Sequence, residues 1–147
     1  MLLYVWFNKG FNFAKQLFIL KNFMKKKILI VDDDKFMREL LIEKLSVVGY
    51  EVSSVSEGIL ALSLIKENMP DLILLDILLP GLSGLETLNV LRADDESLHI
   101  PIILISRLDE PELIRTAKRL GADDYLVKPF TAETLIEKIK NIPGLGN

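Results

Sequence analysis

Short runs of consecutive apolar residues alternate along the chain with longer stretches in which apolar positions recur every three or four residues. The runs predict strands buried on both faces, and the longer stretches predict amphipathic helices. Five strand–helix units follow one another, so the pattern indicates an α/β fold, a doubly wound parallel sheet with helices on both sides. The predicted strands are 27–31, 51–55, 71–75, 101–105 and 123–127, and the predicted helices are 34–47, 57–67, 84–93, 109–119 and 131–141.

Residues that favour helix ends support three of the predicted helices. Asp34 stands in the N-cap position of the first, which Gly49 closes. Asp109 is the expected N-cap of the fourth, which ends at Gly121, and Thr131 is the expected N-cap of the fifth.

Polar residues follow four of the apolar runs at the point where each predicted strand ends. Parallel strands bring their carboxyl ends to one edge of the sheet, where open α/β sheets bind ligands. We therefore expect two or three carboxylates, a hydroxyl and an ammonium group to share one pocket. The residues concerned are Asp32 and Asp33, Asp76, Ser106 and Lys128.

These residue types suit phosphoryl transfer. Converging carboxylates favour a hard divalent cation such as Mg²⁺, and Mn²⁺ accepts the same ligands. Asp76 precedes a turn with Pro80 and Gly81 that leaves its carboxylate at the rim of the sheet, so it is the natural nucleophile. Lys128 can neutralise charge on the phosphoryl oxygens, and the Ser106 hydroxyl can donate a hydrogen bond to them.

Each residue also has a simpler interpretation. Asp34 is better explained as a helix cap than as a ligand. Asp76 alone could form a turn, Ser106 alone could cap a helix, and Lys128 alone could be a surface charge. The functional interpretation rests on their common position at strand ends of the same polarity.

The amino-acid composition excludes several kinds of functional site. The chain has 147 residues, half of them hydrophobic, which is enough to bury the core of one domain. It contains no cysteine, which excludes a disulfide framework, a thiolate nucleophile and a cysteine zinc site. Its single histidine, His99, precedes Ile100-Pro101 and is expected to lie in a loop.

Charge divides the chain into two unequal parts. Residues 1–27 carry six lysines and no acid, whereas residues 28–147 carry 12 basic and 21 acidic residues, a net charge of −9. An acidic body argues against direct binding of nucleic acid.

The N-terminal residues 1–24 form a basic, aromatic extension with three possible interpretations. Its apolar residues at helical spacing, such as Phe13, Leu17 and Leu20, suit a helix that lies on an anionic membrane or a partner surface. It could instead be the remnant of a signal anchor. The interpretation we favour places the natural start at Met24, directly before the first strand.

Four segments, in this order and spacing, resemble the receiver domain of two-component response regulators, which accepts a phosphoryl group from a histidine kinase. The resemblance implies a flavodoxin-like fold with strand order 2-1-3-4-5 and five helices, spanning residues 25–142, and leaves residues 143–147 as a frayed tail or linker. The segments are residues 28–34 (ILIVDDD), residues 75–84 (LDILLPGLSG), Ser106, and residues 121–130 (GADDYLVKPF).

The resemblance also implies the roles of the site residues. Asp76 would be the phosphorylated residue, and Lys128 would contact the phosphoryl group. Mg²⁺ would be held by Asp32, Asp33, Asp76 and the main-chain carbonyl of Leu78. No separate enzymatic activity is expected beyond phosphorylation and dephosphorylation of the chain itself.

A switch pair and a cis peptide bond complete the implied site. The Ser106 hydroxyl would move toward the phosphoryl group and the Tyr125 ring would turn inward behind it, a small charge event that biases two conformations. The alternative for Tyr125 is a half-buried core residue. The bond between Lys128 and Pro129 is a candidate cis peptide.

Two positions depart from the usual pattern of the family. Leu78 is apolar where many relatives carry a polar residue or methionine that influences hydrolysis of the acyl phosphate. Arg107 occupies a position where small residues are usual, and could shield the site or pair with an acidic partner.

Two other functions are weighed against the receiver. Residues 32–34, Ser106, Lys128 and the pair Asp123-Asp124 faintly resemble a haloacid-dehalogenase-type Mg²⁺ phosphohydrolase, although their order is wrong for that family. A receiver-like scaffold that is never phosphorylated is the other alternative, weakened by the presence of every residue that the chemistry needs.

The resemblance implies a cytoplasmic signalling domain that works through other proteins. A sensor histidine kinase or a histidine phosphotransfer protein would supply the phosphoryl group. No DNA-binding or catalytic segment is recognised after residue 142, so we expect the output to be a contact with a protein target or onward transfer in a relay. The chain could also be a fragment of a longer regulator, and membrane contact is expected only through residues 1–24.

Overall fold

A computed structural model describes residues 12–146, and its centre is one five-stranded parallel sheet. The strand order is 2-1-3-4-5, which confirms the predicted fold class. The elements are α1 (Phe13–Phe23), β1 (Lys27–Val31), α2 (Lys35–Val48), β2 (Glu51–Val55), α3 (Gly58–Glu67), β3 (Leu72–Asp76), α4 (Gly84–Ala93), β4 (Ile102–Ser106), α5 (Pro111–Arg119), β5 (Asp124–Val127) and α6 (Ala132–Asn141). The described residues thus form six helices, one more than the five predicted, because α1 precedes the sheet.

Boundary differences in two strands bear on the site. Strands β3 and β4 each begin and end one residue later than predicted, so Asp76 and Ser106 are the last residues of their strands. Helix α5 begins at Pro111, and the residue before it is Glu110, whose side chain makes no capping bond. The prediction of Asp109 as its N-cap is therefore wrong, because a proline at the first helical position sets the start.

The other predicted helix ends are confirmed. The Asp34 side chain accepts a hydrogen bond from the Met37 amide, and the Thr131 side chain accepts one from the Thr134 amide. Gly49 closes α2 with a φ of 113°, a left-handed conformation that glycine adopts at little cost.

Alternate residues of each central strand point to opposite faces and build two apolar layers. Leu29 and Leu75 pack with α3, α4 and α5, whereas Ile30 and Leu74 pack with α2 and α6. Burial on both faces explains why these strands read as unbroken apolar runs.

Residues 143–146, expected to be a frayed tail or linker, are exposed except for Leu145, which packs against the body. Leu145 is 3% exposed, and its carbonyl accepts a hydrogen bond of 2.8 Å from the Tyr50 hydroxyl. A short apolar segment after α6 thus covers the edge of the layer that α2 and α6 form.

The large apolar side chains of helix α1 are between 49% and 88% exposed. None of its residues is buried, and the residues of the predicted apolar stripe, Phe13, Leu17, Leu20 and Met24, are each more than half exposed. No helix in residues 12–146 is both long enough and apolar enough to cross a membrane. The first eleven residues of the extension lie outside the described part of the chain.

Removal of residues 1–23 is expected to leave the rest of the fold intact. The free energy of unfolding should change by less than about 1 kcal/mol, because no side chain of α1 is buried. Chemical denaturation of the full and shortened chains checks this. A clearly less stable or insoluble shortened chain would contradict it and favour the surface-anchor interpretation.

Candidate functional site

The carboxyl ends of four strands form an acidic cleft. Parallel pairing places Val31 beside Leu75, Asp76 beside Ile105 and Ser106 beside Val127, so the residues that follow or end these strands lie along one edge. The cleft has a volume of about 310 Å³. Its lining consists of Asp32, Asp33, Asp34, Asp76, Leu78, Arg107 and Lys128.

Lys128 joins two buried carboxylates at the bottom of this cleft. Its Nζ lies 2.7 Å from Asp32 Oδ2 and 2.9 Å from Asp76 Oδ2, and only 10% of its side chain is exposed. The Lys128 amide also donates to the Ser106 carbonyl at 2.8 Å. The bond between Lys128 and Pro129 is cis, as the family resemblance implied.

Burial and ion pairing shift the pKa values of Asp76 and Lys128. Burial raises the pKa of Asp76 above its ordinary value, and the opposing hydrogen bond from Lys128 does not cancel that effect. Burial acts to lower the pKa of Lys128, but hydrogen bonds to Asp32 and Asp76 outweigh it and raise that pKa. Lys128 therefore stays positively charged at neutral pH, and an unneutralised Asp76 carboxylate is costly to bury.

Three of the acidic residues converge closely enough to bind one metal ion. Carboxylate oxygens of Asp32, Asp33 and Asp76 all lie within 4.8 Å of one another. Oxygen ligands at this spacing fit Mg²⁺, which keeps its remaining positions for water and phosphate. Asp34 is outside the cluster because its carboxylate caps α2.

The backbone around both acidic strand ends is held by local bonds. The Asp34 amide donates to Asp32 Oδ1 at 2.9 Å, and the Leu78 amide donates to Asp76 Oδ1 at 3.0 Å. Arg38 Nη1 donates to the Asp32 carbonyl at 2.8 Å. Sequence reasoning missed Arg38, although a cation in the first turn of the helix after an acidic loop was a usable signal.

The turn after Asp76 depends on Gly84 and Ser83. A Cβ added to Gly84 would collide with the Asp76 carbonyl oxygen, so only glycine permits the start of α4 to approach the end of β3 so closely. Ser83 and Glu86 form a reciprocal capping box at that start. Neither requirement was recognised in the sequence, although a serine three residues before a glutamate is the typical signal.

Ser106 and Tyr125 meet at the backbone of Leu108. The Ser106 Oγ accepts from the Leu108 amide at 3.2 Å, and the Tyr125 hydroxyl donates to the Leu108 carbonyl at 2.6 Å. Both residues are buried, and burial raises the pKa of Tyr125. Ser106 lies at the strand end as predicted, but it is not among the described residues that line the cleft.

Two further residues noted in the sequence lie at opposite ends of the strands. His99 is exposed in the turn region before β4, as expected of a loop residue. Leu78 is 52% exposed at the mouth of the cleft, directly beside the strand end that carries Asp76.

Curated relatives of this chain include regulators of transcription. The "probable transcriptional regulator ycf27" of Porphyridium aerugineum is 38% identical over 118 residues, which are 80% of this chain and 48% of that protein. The "DNA-binding response regulator MtrA" of Mycobacterium tuberculosis is 35% identical over 117 residues, 80% of this chain and 50% of that protein. The chain thus spans about half the length of the curated relatives it matches.

Solved structures with the same fold are matched almost over their full length. The chemotaxis response regulator CheY4 of Vibrio cholerae superposes with a TM-score of 0.76 at 31% identity, covering 80% of this chain and 98% of CheY4. A putative response regulator from Chloroflexus aurantiacus gives a TM-score of 0.76 at 34% identity, covering 80% and 96%.

The family match does not favour the phosphohydrolase alternative. Residues 28–140 match the model of the response regulator receiver domain, and this range holds all five strands except the first residue of β1. Fold, strand order and sequence agree, and the chain belongs to the family of response regulator receiver domains.

Proposed function

We propose that the chain accepts a phosphoryl group on Asp76 from a histidine kinase or a histidine phosphotransfer protein. The observation that carries this proposal is the pairing of Asp76 with Lys128 at 2.9 Å on the floor of an open acidic cleft. A nucleophilic carboxylate and a fixed ammonium group thus stand together where an anionic donor can enter.

In the proposed reaction an Asp76 carboxylate oxygen forms a bond to phosphorus while the bond between phosphorus and the donor's histidine nitrogen breaks. The nitrogen keeps the electron pair of that bond. Lys128 then exchanges one of its two carboxylate contacts for a phosphoryl oxygen. Asp32, Asp33, Asp76 and the Leu78 carbonyl would hold Mg²⁺, which supplies charge neutralisation for the phosphoryl oxygens.

The proposed switch runs through Leu108. In the present structure, Ser106 and Tyr125 hold the amide and the carbonyl of this one residue. When Ser106 donates its hydroxyl to the phosphoryl group, its oxygen leaves the Leu108 amide and the loop between β4 and α5 gains freedom to move. The face beside that loop then changes its contact with a protein target.

Mg²⁺ is expected to stabilise the folded chain. Three carboxylates within 4.8 Å repel one another, and a cation bound to them relieves that repulsion. At a concentration ten times the dissociation constant, the gain is about 1.4 kcal/mol. Thermal unfolding with EDTA and with increasing MgCl₂ measures the effect.

The Asp33→Asn variant is the matched test of that stabilisation. Asp33 is exposed and joins the carboxylate cluster, so its replacement should weaken the effect of Mg²⁺ without harming the core. An equal Mg²⁺ effect in the variant and the original chain would contradict the proposed ligand set.

Incubation with acetyl phosphate and Mg²⁺, followed by intact-mass spectrometry, tests the proposed function. A single Mg²⁺-dependent phosphoryl adduct is the expected result. Steady release of phosphate over many turnovers would favour the phosphohydrolase, and absence of any adduct would favour the scaffold.

A further inference from the structure

Arg107 is an exposed cation at the mouth of the acidic cleft. It directly follows the last residue of β4, it is exposed, and it lines the cleft together with four aspartates. Among the hydrogen bonds and ion pairs of residues 12–146, none involves the Arg107 side chain. By contrast, Arg92 is fixed by Gly121 and Asp123.

The charge balance of the cleft gives this free guanidinium a function. Four aspartates line the space, and the one other cation among the described lining residues, Lys128, is already engaged by Asp32 and Asp76. An incoming phosphodonor carries negative charge, and even with Mg²⁺ bound the four carboxylates outweigh Lys128 and the ion by one charge, so the donor would meet a cleft that is still negative. Arg107 is the lining cation free to attract it.

We propose that Arg107 binds oxygens of the incoming phosphodonor at the mouth of the cleft and thereby speeds phosphorylation of Asp76. This inference rests on the proposed function. A guanidinium presents paired N–H donors that match two oxygens of one phosphoryl group, whereas an ammonium group acts as a point charge. Arg107 orients the donor before transfer, and Lys128 holds the phosphoryl group at the floor of the cleft.

The rate of phosphorylation by acetyl phosphate tests the inference. In the presence of saturating Mg²⁺, the second-order rate constant of Arg107→Ala should be about fivefold lower than that of the original chain, because an exposed charged contact is lost. Arg107→Lys should recover part of the loss, because it restores the charge without the paired donors. Added salt should slow the original chain more than Arg107→Ala.

Arg119→Ala is the matched control. Arg119 is an exposed arginine at the end of α5, so replacing it by alanine changes the net charge as much as Arg107→Ala does. Because helices of this fold end at the sheet edge opposite the cleft, Arg119 lies far from the site. Its rate should equal that of the original chain. An unchanged or faster rate in Arg107→Ala, or an equal loss in Arg119→Ala, would overturn the inference while leaving Asp76 as acceptor. An original chain that gains no phosphoryl group would overturn the proposed function and this inference together.

Discussion

Replacement of Asp76 by asparagine is expected to abolish the phosphoryl adduct that acetyl phosphate and Mg²⁺ produce. The amide has nearly the same volume as the carboxylate, and its oxygen can still accept from the Leu78 amide, so the fold should persist. Only the nucleophile is lost. Intact-mass spectrometry measures the adduct, and circular dichroism checks the fold.

Asp109→Asn is the control for that substitution. Asp109 is exposed in the loop between β4 and α5 and lies outside the lining of the cleft. Asp109→Asn removes one negative charge, as Asp76→Asn does, and should gain the phosphoryl adduct to the same extent as the original chain. Full labelling of Asp76→Asn would show that another residue accepts the phosphoryl group.

The Asp76→Asn substitution should also change how the free energy of unfolding depends on pH. Because burial raises the pKa of Asp76 from 3.8, the folded chain holds this proton more tightly than the unfolded chain does. The stability linked to Asp76 is therefore present below its ordinary pKa and is lost as pH rises through the raised value.

In EDTA, Asp76→Asn should consequently be more stable than the original chain at pH 7, and this advantage should vanish near pH 4 or below. Thermal unfolding at several pH values measures the difference between the two chains. A variant that is less stable at pH 7 would show that pairing with Lys128 outweighs the cost of burial.

Replacement of Lys128 by alanine is the second change with a large expected effect. The phosphorylation rate should fall about a hundredfold, because a fixed charge that stabilises developing oxyanions is typically worth that much. The variant should still bind Mg²⁺, since Asp32 and Asp76 lose a competing cation and keep their positions at the strand ends. Mass spectrometry of samples quenched at successive times measures the phosphorylation rate, and Mg²⁺-dependent thermal unfolding measures metal binding.

Lys138→Ala is the control for this second change. Lys138 also pairs with an aspartate, Asp124 at 2.9 Å, and is part-buried, but it lies outside the cleft lining. Its removal should leave the phosphorylation rate unchanged. If Lys128→Ala instead lost Mg²⁺ binding and kept its rate, the proposed division of roles between lysine and metal would be wrong.

The sheet and the position of the acidic cleft were predictable from sequence because both follow from local patterns. Unbroken apolar runs mark strands buried on two faces, and parallel pairing alone brings Asp76 and Lys128 to one edge. The caps Asp34 and Thr131 were also predictable, since capping depends on nearby residues.

Features that depend on contacts between distant residues were not predictable in this way. The packing of Leu145 on the body requires Tyr50, which lies 95 residues away in sequence. The shared bonding of Ser106 and Tyr125 to Leu108 depends on the path of a loop with no periodic pattern. The number of helices differed because α1 lies in the extension, where three interpretations had been left open.

Borohydride reduction of the phosphorylated chain tests the central proposal, phosphorylation at Asp76, most directly. The reagent converts an aspartyl phosphate to homoserine with loss of phosphate, and tandem mass spectrometry of the resulting peptides then gives the position. Homoserine at position 76, formed only after incubation with acetyl phosphate and Mg²⁺, is the predicted result. Homoserine at position 32 or 33, or at no position in a chain that carries the adduct, would contradict it.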